Sequence, residues 1–83
     1  MNADEARATV LAVLATIAPE ANLSELELDV EFRDQLDIDS MDFLNFIIGV
    51  HERTGIDIPE EDYPALETLA GCINYLVAAR PAG

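Results

Sequence analysis

The sequence predicts an all-α fold: a small bundle of three main helices plus one short helix, with a long loop between the first and second main helices. Three observations carry that prediction. Apolar residues recur at helical spacing in three separate stretches, turn and capping residues bound those stretches, and no alternating apolar and polar pattern runs beyond a few residues. The segment LELDV, residues 26–30, is a brief strand candidate. At 83 residues the chain is expected to form a single domain, 1–83, that buries only about 60% of the surface its unfolded form exposes.

The first helix is expected from about Ala3 to Ala18. Ala6, Val10, Val13, Leu14 and Ile17 line one face, Asp4 and Glu5 suit the first turn, and Pro19 ends it. The connection from Pro19 to Asp39 is longer than most in compact domains, so it either hides structure or serves a site. Leu23, Leu26, Leu28, Val30, Phe32 and Leu36 are spaced through it, which predicts that it is pinned to the core. The second helix runs from Ser40 to about Thr54, with Gly55 as the residue that ends it. In PEEDYPAL, residues 59–66, a proline precedes acids, the pattern of a short helical turn, which Pro64 should cut off. The third helix follows Thr68 as N-cap and carries Leu69, Cys72, Ile73, Leu76 and Val77 toward Arg80, with Pro81 and Gly83 marking its end.

Charge and composition exclude several function classes. Seventeen acidic residues against four arginines, with no lysine, give a formal net charge of −13. Phosphate binding needs clustered Lys and Arg, so nucleic acid and anionic lipid are excluded and basic partners are expected. One cysteine permits no internal disulfide, and with one histidine it leaves no spacing for a zinc site, so Cys72 is expected as a core residue. No apolar run approaches the ~20 residues needed to cross a bilayer. The acidic N-terminus is unlike a secretory signal, and a cytoplasmic, monomeric protein is expected.

The stretch QLDIDSMDFLNFIIGV, residues 35–50, sets Ser40 between two aspartates at the start of an apolar run. Asp39 or Ser40 there can cap a helix. On the wheel of the second helix, Phe43, Phe46, Ile47, Val50 and Thr54 share one side, the expected core stripe. Met41 and Ile48 fall opposite with Asn45 and Glu52, while Leu44 and His51 sit at the edge. An outer face with apolar residues, acids at its start and a serine at its tip has the character of a docking surface.

Catalysis by Ser40 is excluded within one chain. His51 is the only histidine, and it lies eleven residues along the same helix, a rise of about 16 Å. A calcium loop is excluded as well, because Met41 takes a ligand position and Asp42 the place of the required glycine. Neither a catalytic residue nor a metal site is expected.

The run FRDQLDIDSMDFLNFIIGVHERTGIDIPEEDYPALETLAGCINYL, Phe32 to Leu76, resembles the acyl carrier proteins, the phosphopantetheine-binding carrier domains. Its most specific part is Asp39-Ser40-Met41, preceded by Phe32 and Leu36 and followed by Ile58-Pro59 and Tyr75-Leu76. The resemblance implies that Ser40 carries 4′-phosphopantetheine from coenzyme A, with Asp39 and Met41 beside it, and that the arm's thiol holds acyl or aminoacyl groups as thioesters. It implies a phosphopantetheinyl transferase as partner, together with loading ligases, synthases or transferases. It also makes the second helix the recognition face, with Asp39, Met41, Asp42, Leu44, Asn45, Ile48 and Glu52 touching partners. Asp37, Asn45, His51 and Thr54 depart from the family's usual residues, leaving this helix less acidic than is common there. Phe43, Phe46, Tyr63 and Leu66 stand near the expected cargo cavity and could fill it. The reading from another class is a small acidic helical adaptor whose Ser40 is only a cap.

Overall fold

Helix α1 spans Ala3–Ile17 and opens on a capping box: the Asn2 side chain accepts from Glu5 N–H, and the Glu5 carboxylate accepts from Asn2 N–H. Ala6, Val10, Val13 and Leu14 are buried on one face, as their spacing predicts, and Ile17 packs against them. The computed structural model describes residues 1–79. After α1 come the short α2 (Phe32–Gln35), α3 (Ser40–Thr54) and α4 (Leu69–Ala78), with 3₁₀ segments at Leu23–Glu25 and Glu60–Leu66. α1 packs on both α3 and α4, and the Glu60–Leu66 helix packs on α4. The main helices thus meet along one apolar seam that includes Phe46, Val50, Leu69, Cys72 and Leu76.

The long connection does hide structure. Phe32 and Leu36 are buried anchors, while Leu23 and Leu26 are half-buried. Gln35 then fastens the loop from within: its Oε1 accepts from Glu27 N–H at 2.8 Å, and its Nε2 donates to the Glu27 and Val30 carbonyls at 2.9 and 2.8 Å. Two further bonds tie the connection to the start of α4, from Phe32 N–H to the Glu67 carbonyl at 2.7 Å and from Ala70 N–H to the Leu28 carbonyl at 3.0 Å.

Five local expectations are corrected. Residues 26–30 form no strand, because their backbone groups meet Gln35 and Ala70 instead of a neighbouring strand. Leu28 is 45% exposed, since its carbonyl rather than its side chain faces α4. Pro64 does not cut off the turn; the tighter 3₁₀ helix runs through it to Leu66, with Pro59 just before the first helical residue. Val77 is also 45% exposed, because it is turned about 100° from Leu76, off the buried Leu69, Cys72 and Leu76 stripe of α4. Thr54 is half-buried, and its hydroxyl donates to the Val50 carbonyl at 2.8 Å. The expected helix end at Arg80, Pro81 and Gly83 lies outside the described residues.

Gly55 ends α3 with φ 71°, the left-handed conformation that favours glycine. Gly71 sits where α4 meets the 3₁₀ helix, and a Cβ there would overlap the Ala65 carbonyl oxygen. Among the described residues no arginine lies within salt-bridge distance of a carboxylate, and the one ion pair is a 3.7 Å approach of His51 to Asp57. The acidic surface is therefore uncompensated. Melting temperature should rise as sodium chloride is added in the range where screening acts over about 10 Å. A flat melting profile would show that charge repulsion does not limit this fold.

Cys72 is fully buried, as expected, and its thiol donates to the Leu66 carbonyl at 3.2 Å. Burial pushes the thiol's pKa up to about 12, leaving essentially no thiolate at neutral pH. Folded protein should resist iodoacetamide at pH 7 and react once unfolded. Rapid alkylation of the native chain would contradict this packing.

Candidate functional site

The site forms at the N-terminus of α3. Asp39 has extended backbone and is the N-cap: its Oδ1 accepts from Asp42 N–H at 2.9 Å, and Asp42 Oδ2 accepts from Asp39 N–H at 3.3 Å. This reciprocal box answers the question posed by the tripeptide. Asp39 does the capping, and Ser40, the first helical residue, is exposed and free of that task. Asp39→Ala should cost about 1 kcal/mol of stability through loss of the cap. Thermal melting would check it, and an unchanged midpoint would contradict the capping role.

The free N–H groups of a helix's first turn, aided by the helix dipole, favour an anion. An exposed primary hydroxyl at that point therefore fits a phosphodiester. The arrangement can expose a phosphate and its arm to solvent while the acids at Asp37, Asp39 and Asp42 meet a basic enzyme. Cys72 lies in the core between α4 and the 3₁₀ helix, and His51 is engaged at the far end of α3. The His51 Nδ1–H donates to the Ile56 carbonyl at 2.9 Å, so no Ser–His pair forms. Among the described residues no cluster of His, Cys, Asp and Glu is suited to a metal ion.

The outer face of α3 follows the wheel. Met41 is 66% exposed, Ile48 46% and Leu44 40%, and Asn45 and Glu52 are exposed beside them. Asp39 is exposed and Asp42 half-buried at the head of the same helix. On the opposite side Phe43, Phe46, Ile47 and Val50 are buried.

The aromatic residues expected near a cargo cavity form a continuous row. Phe46 meets Phe32 edge-on at 5.3 Å between centroids, Phe43 lies 6.1 Å from Phe46, and Tyr63 meets Phe43 edge-on at 6.4 Å. The Arg33 guanidinium stands 5.7 Å from the Phe43 ring centroid, a cation–π contact that spacing alone does not reveal. Outside this row an open cleft of about 480 Å³ runs along the flank of α3, lined by Ile47, Ile48, His51, Asp57, Ile58, Pro59 and Tyr63. A second cleft, about 660 Å³, lies between the end of α1 and the long connection.

Residues 8–76 match the family described as phosphopantetheine attachment site. The chain is 36% identical over 64 residues to an acyl carrier protein of Renibacterium salmoninarum, covering 77% of this chain and 74% of that one. It is 31% identical over 74 residues to an acyl carrier protein of Arthrobacter sp., covering 86% and 91%. Its fold is similar to that of the acyl carrier protein from Enterococcus faecalis, with a TM-score of 0.73 at 21% identity, covering 94% of this chain and 98% of that one.

Proposed function

This chain belongs to the phosphopantetheine attachment family and is an acyl carrier protein, and on that premise we propose that Ser40 is the residue that bears its covalent 4′-phosphopantetheine. The observation that carries the assignment is the division of labour at the head of α3: the Asp39 carboxylate caps the Asp42 N–H, which leaves the exposed Ser40 hydroxyl free of that task. In the attachment step Ser40 Oγ bonds to the pantetheine-side phosphorus of coenzyme A as the P–O bond to 3′,5′-adenosine diphosphate breaks. The hydroxyl proton passes to a base of the transferase. Once attached, the arm's thiol holds acyl or aminoacyl groups as thioesters.

The exposed face of α3 supports a docking role for Asp39, Met41, Asp42, Leu44, Asn45, Ile48 and Glu52. The apolar members supply contact area, and the carboxylates steer basic enzymes. Those enzymes are a phosphopantetheinyl transferase and the synthases or ligases that load and unload cargo. The chain acts as a monomeric cytoplasmic carrier domain over 1–83, with no catalysis of its own. Among the described residues no helix is long and apolar enough to cross a membrane. The test is intact mass after incubation with coenzyme A and a transferase. Addition of one phosphopantetheine is expected, and an unchanged mass would leave the adaptor reading in its place.

A further inference from the structure

A cargo joined to the arm needs an apolar surface within reach of Ser40, and the cleft on the flank of α3 offers one. Ile47 begins it seven residues below Ser40, a rise of about 10 Å. The arm holds about fourteen bonds from Oγ to sulfur, comparable to between four and five peptide residues, or roughly 16 Å extended. Ile47, Ile48 and Ile58 give the cleft its apolar surface, while His51 and Asp57 form a polar rim at its far end.

We infer that Tyr63 is a specificity-determining residue that limits the cargo sheltered in this cleft to short chains, an inference that rests on the carrier reading. The Tyr63 ring is both a wall of the cleft and the edge-on neighbour of Phe43. Phe43, nearly buried, stands behind it and the fully buried Phe46 behind Phe43, so on the Tyr63 side the cleft meets packed aromatic rings. The wall is also held in place. Tyr75 Oη donates to Asp62 Oδ2 at 2.8 Å, and Cys72 Sγ donates to the Leu66 carbonyl at 3.2 Å. Both bonds fasten the 3₁₀ helix that carries Tyr63 to α4, and the close approach at Gly71 adds a third point of contact. The remaining apolar length is one turn of α3, from Ile47 to His51, about 6 Å. At about 1.3 Å of advance per C–C bond, that admits about four carbons. A longer chain must cross the His51–Asp57 rim, where burying those polar groups opposes it.

The test loads wild type, Tyr63→Phe and Tyr63→Ala with acetyl, butyryl and octanoyl groups, transferred from the matching acyl-coenzyme A by a phosphopantetheinyl transferase. Thioester cleavage by hydroxylamine is timed, and amide chemical shifts of Ile47, Ile48 and Ile58 are compared with those of the free-thiol form. Each sheltered methylene should slow cleavage by roughly fourfold, so butyryl should outlast acetyl by about fifteenfold on wild type. Octanoyl should gain nothing over butyryl on wild type or Tyr63→Phe, and about tenfold or more on Tyr63→Ala. The cleft amides should shift with butyryl. Octanoyl outlasting butyryl on wild type, a comparison that needs no variant to fold, would overturn the inference alone. So would an unchanged order in a folded Tyr63→Ala protein. No mass gain on wild type would overturn the carrier reading and this inference together.

Discussion

Ser40→Ala takes up no phosphopantetheine under conditions in which the wild type is fully loaded, and it melts within about 0.5 kcal/mol of wild type. The first half of this expected result follows from chemistry: the substitution removes the hydroxyl exposed at the head of α3, the group that forms the phosphodiester. The second half follows from geometry. The cap of α3 is Asp39, whose carboxylate holds the Asp42 N–H, so Ser40 can be lost without disturbing the box. Alanine is also the better helix former at an exposed position. Intact mass and circular dichroism on the same samples separate the two halves. A loaded Ser40→Ala protein, with the label at Ser24 for example, would remove Ser40 as the attachment residue. An unloaded but unfolded one would mean that Ser40 has a structural role.

Val50→Glu and Phe46→Glu unfold the domain, whereas Ile48→Glu leaves it folded and impairs transfer to a partner enzyme. Val50 and Phe46 are fully buried, and an unpaired carboxylate there costs several kcal/mol against a total of about 5–15 kcal/mol. Ile48 is 46% exposed, so its replacement costs little in the free protein but places a charge in the centre of the proposed contact. Reversal of an acid tests steering. Asp42→Lys also breaks half of the capping box, so Glu52→Lys is the cleaner variant for this purpose. It should slow association, and added salt should narrow its difference from wild type. Circular dichroism melting beside transferase loading rates reads all four variants. If Ile48→Glu melts like Val50→Glu while Phe46→Glu is tolerated, the inner and outer faces have been exchanged.

The three main helices were legible because each combines an apolar stripe with a local stop or start: Pro19 after α1, Gly55 after α3 and Thr68 before α4. The capping boxes at Asn2–Glu5 and Asp39–Asp42 also lie in the local pattern, though which of Asp39 and Ser40 serves as cap needed the backbone geometry. What the sequence left open depends on contacts between distant residues. Nothing near Gln35 indicates that its side chain will hold Glu27 and Val30, and nothing near Arg33 indicates that it will cover Phe43. Alternation in LELDV suggested a strand because periodicity cannot tell a backbone paired with a strand from one paired with a glutamine. Pro64 suggested a break because proline disrupts an α-helix, yet the tighter 3₁₀ turn accommodates it.

The two bonds that join the long connection to the start of α4 set its place in the exchange of backbone hydrogens with solvent. An irregular segment usually exchanges through local opening at little cost. Here the Phe32 amide is held by Glu67 and the Ala70 amide by Leu28, so each bond joins residues that are far apart in the sequence. The first cannot open unless the buried Phe32 shifts in the core, and the second must part with the same connection. These two amides should therefore exchange as slowly as those in the middle of α1. The connection and the 3₁₀–α4 junction would then form one cooperative unit, giving Ser40, the proposed attachment residue, a fixed base.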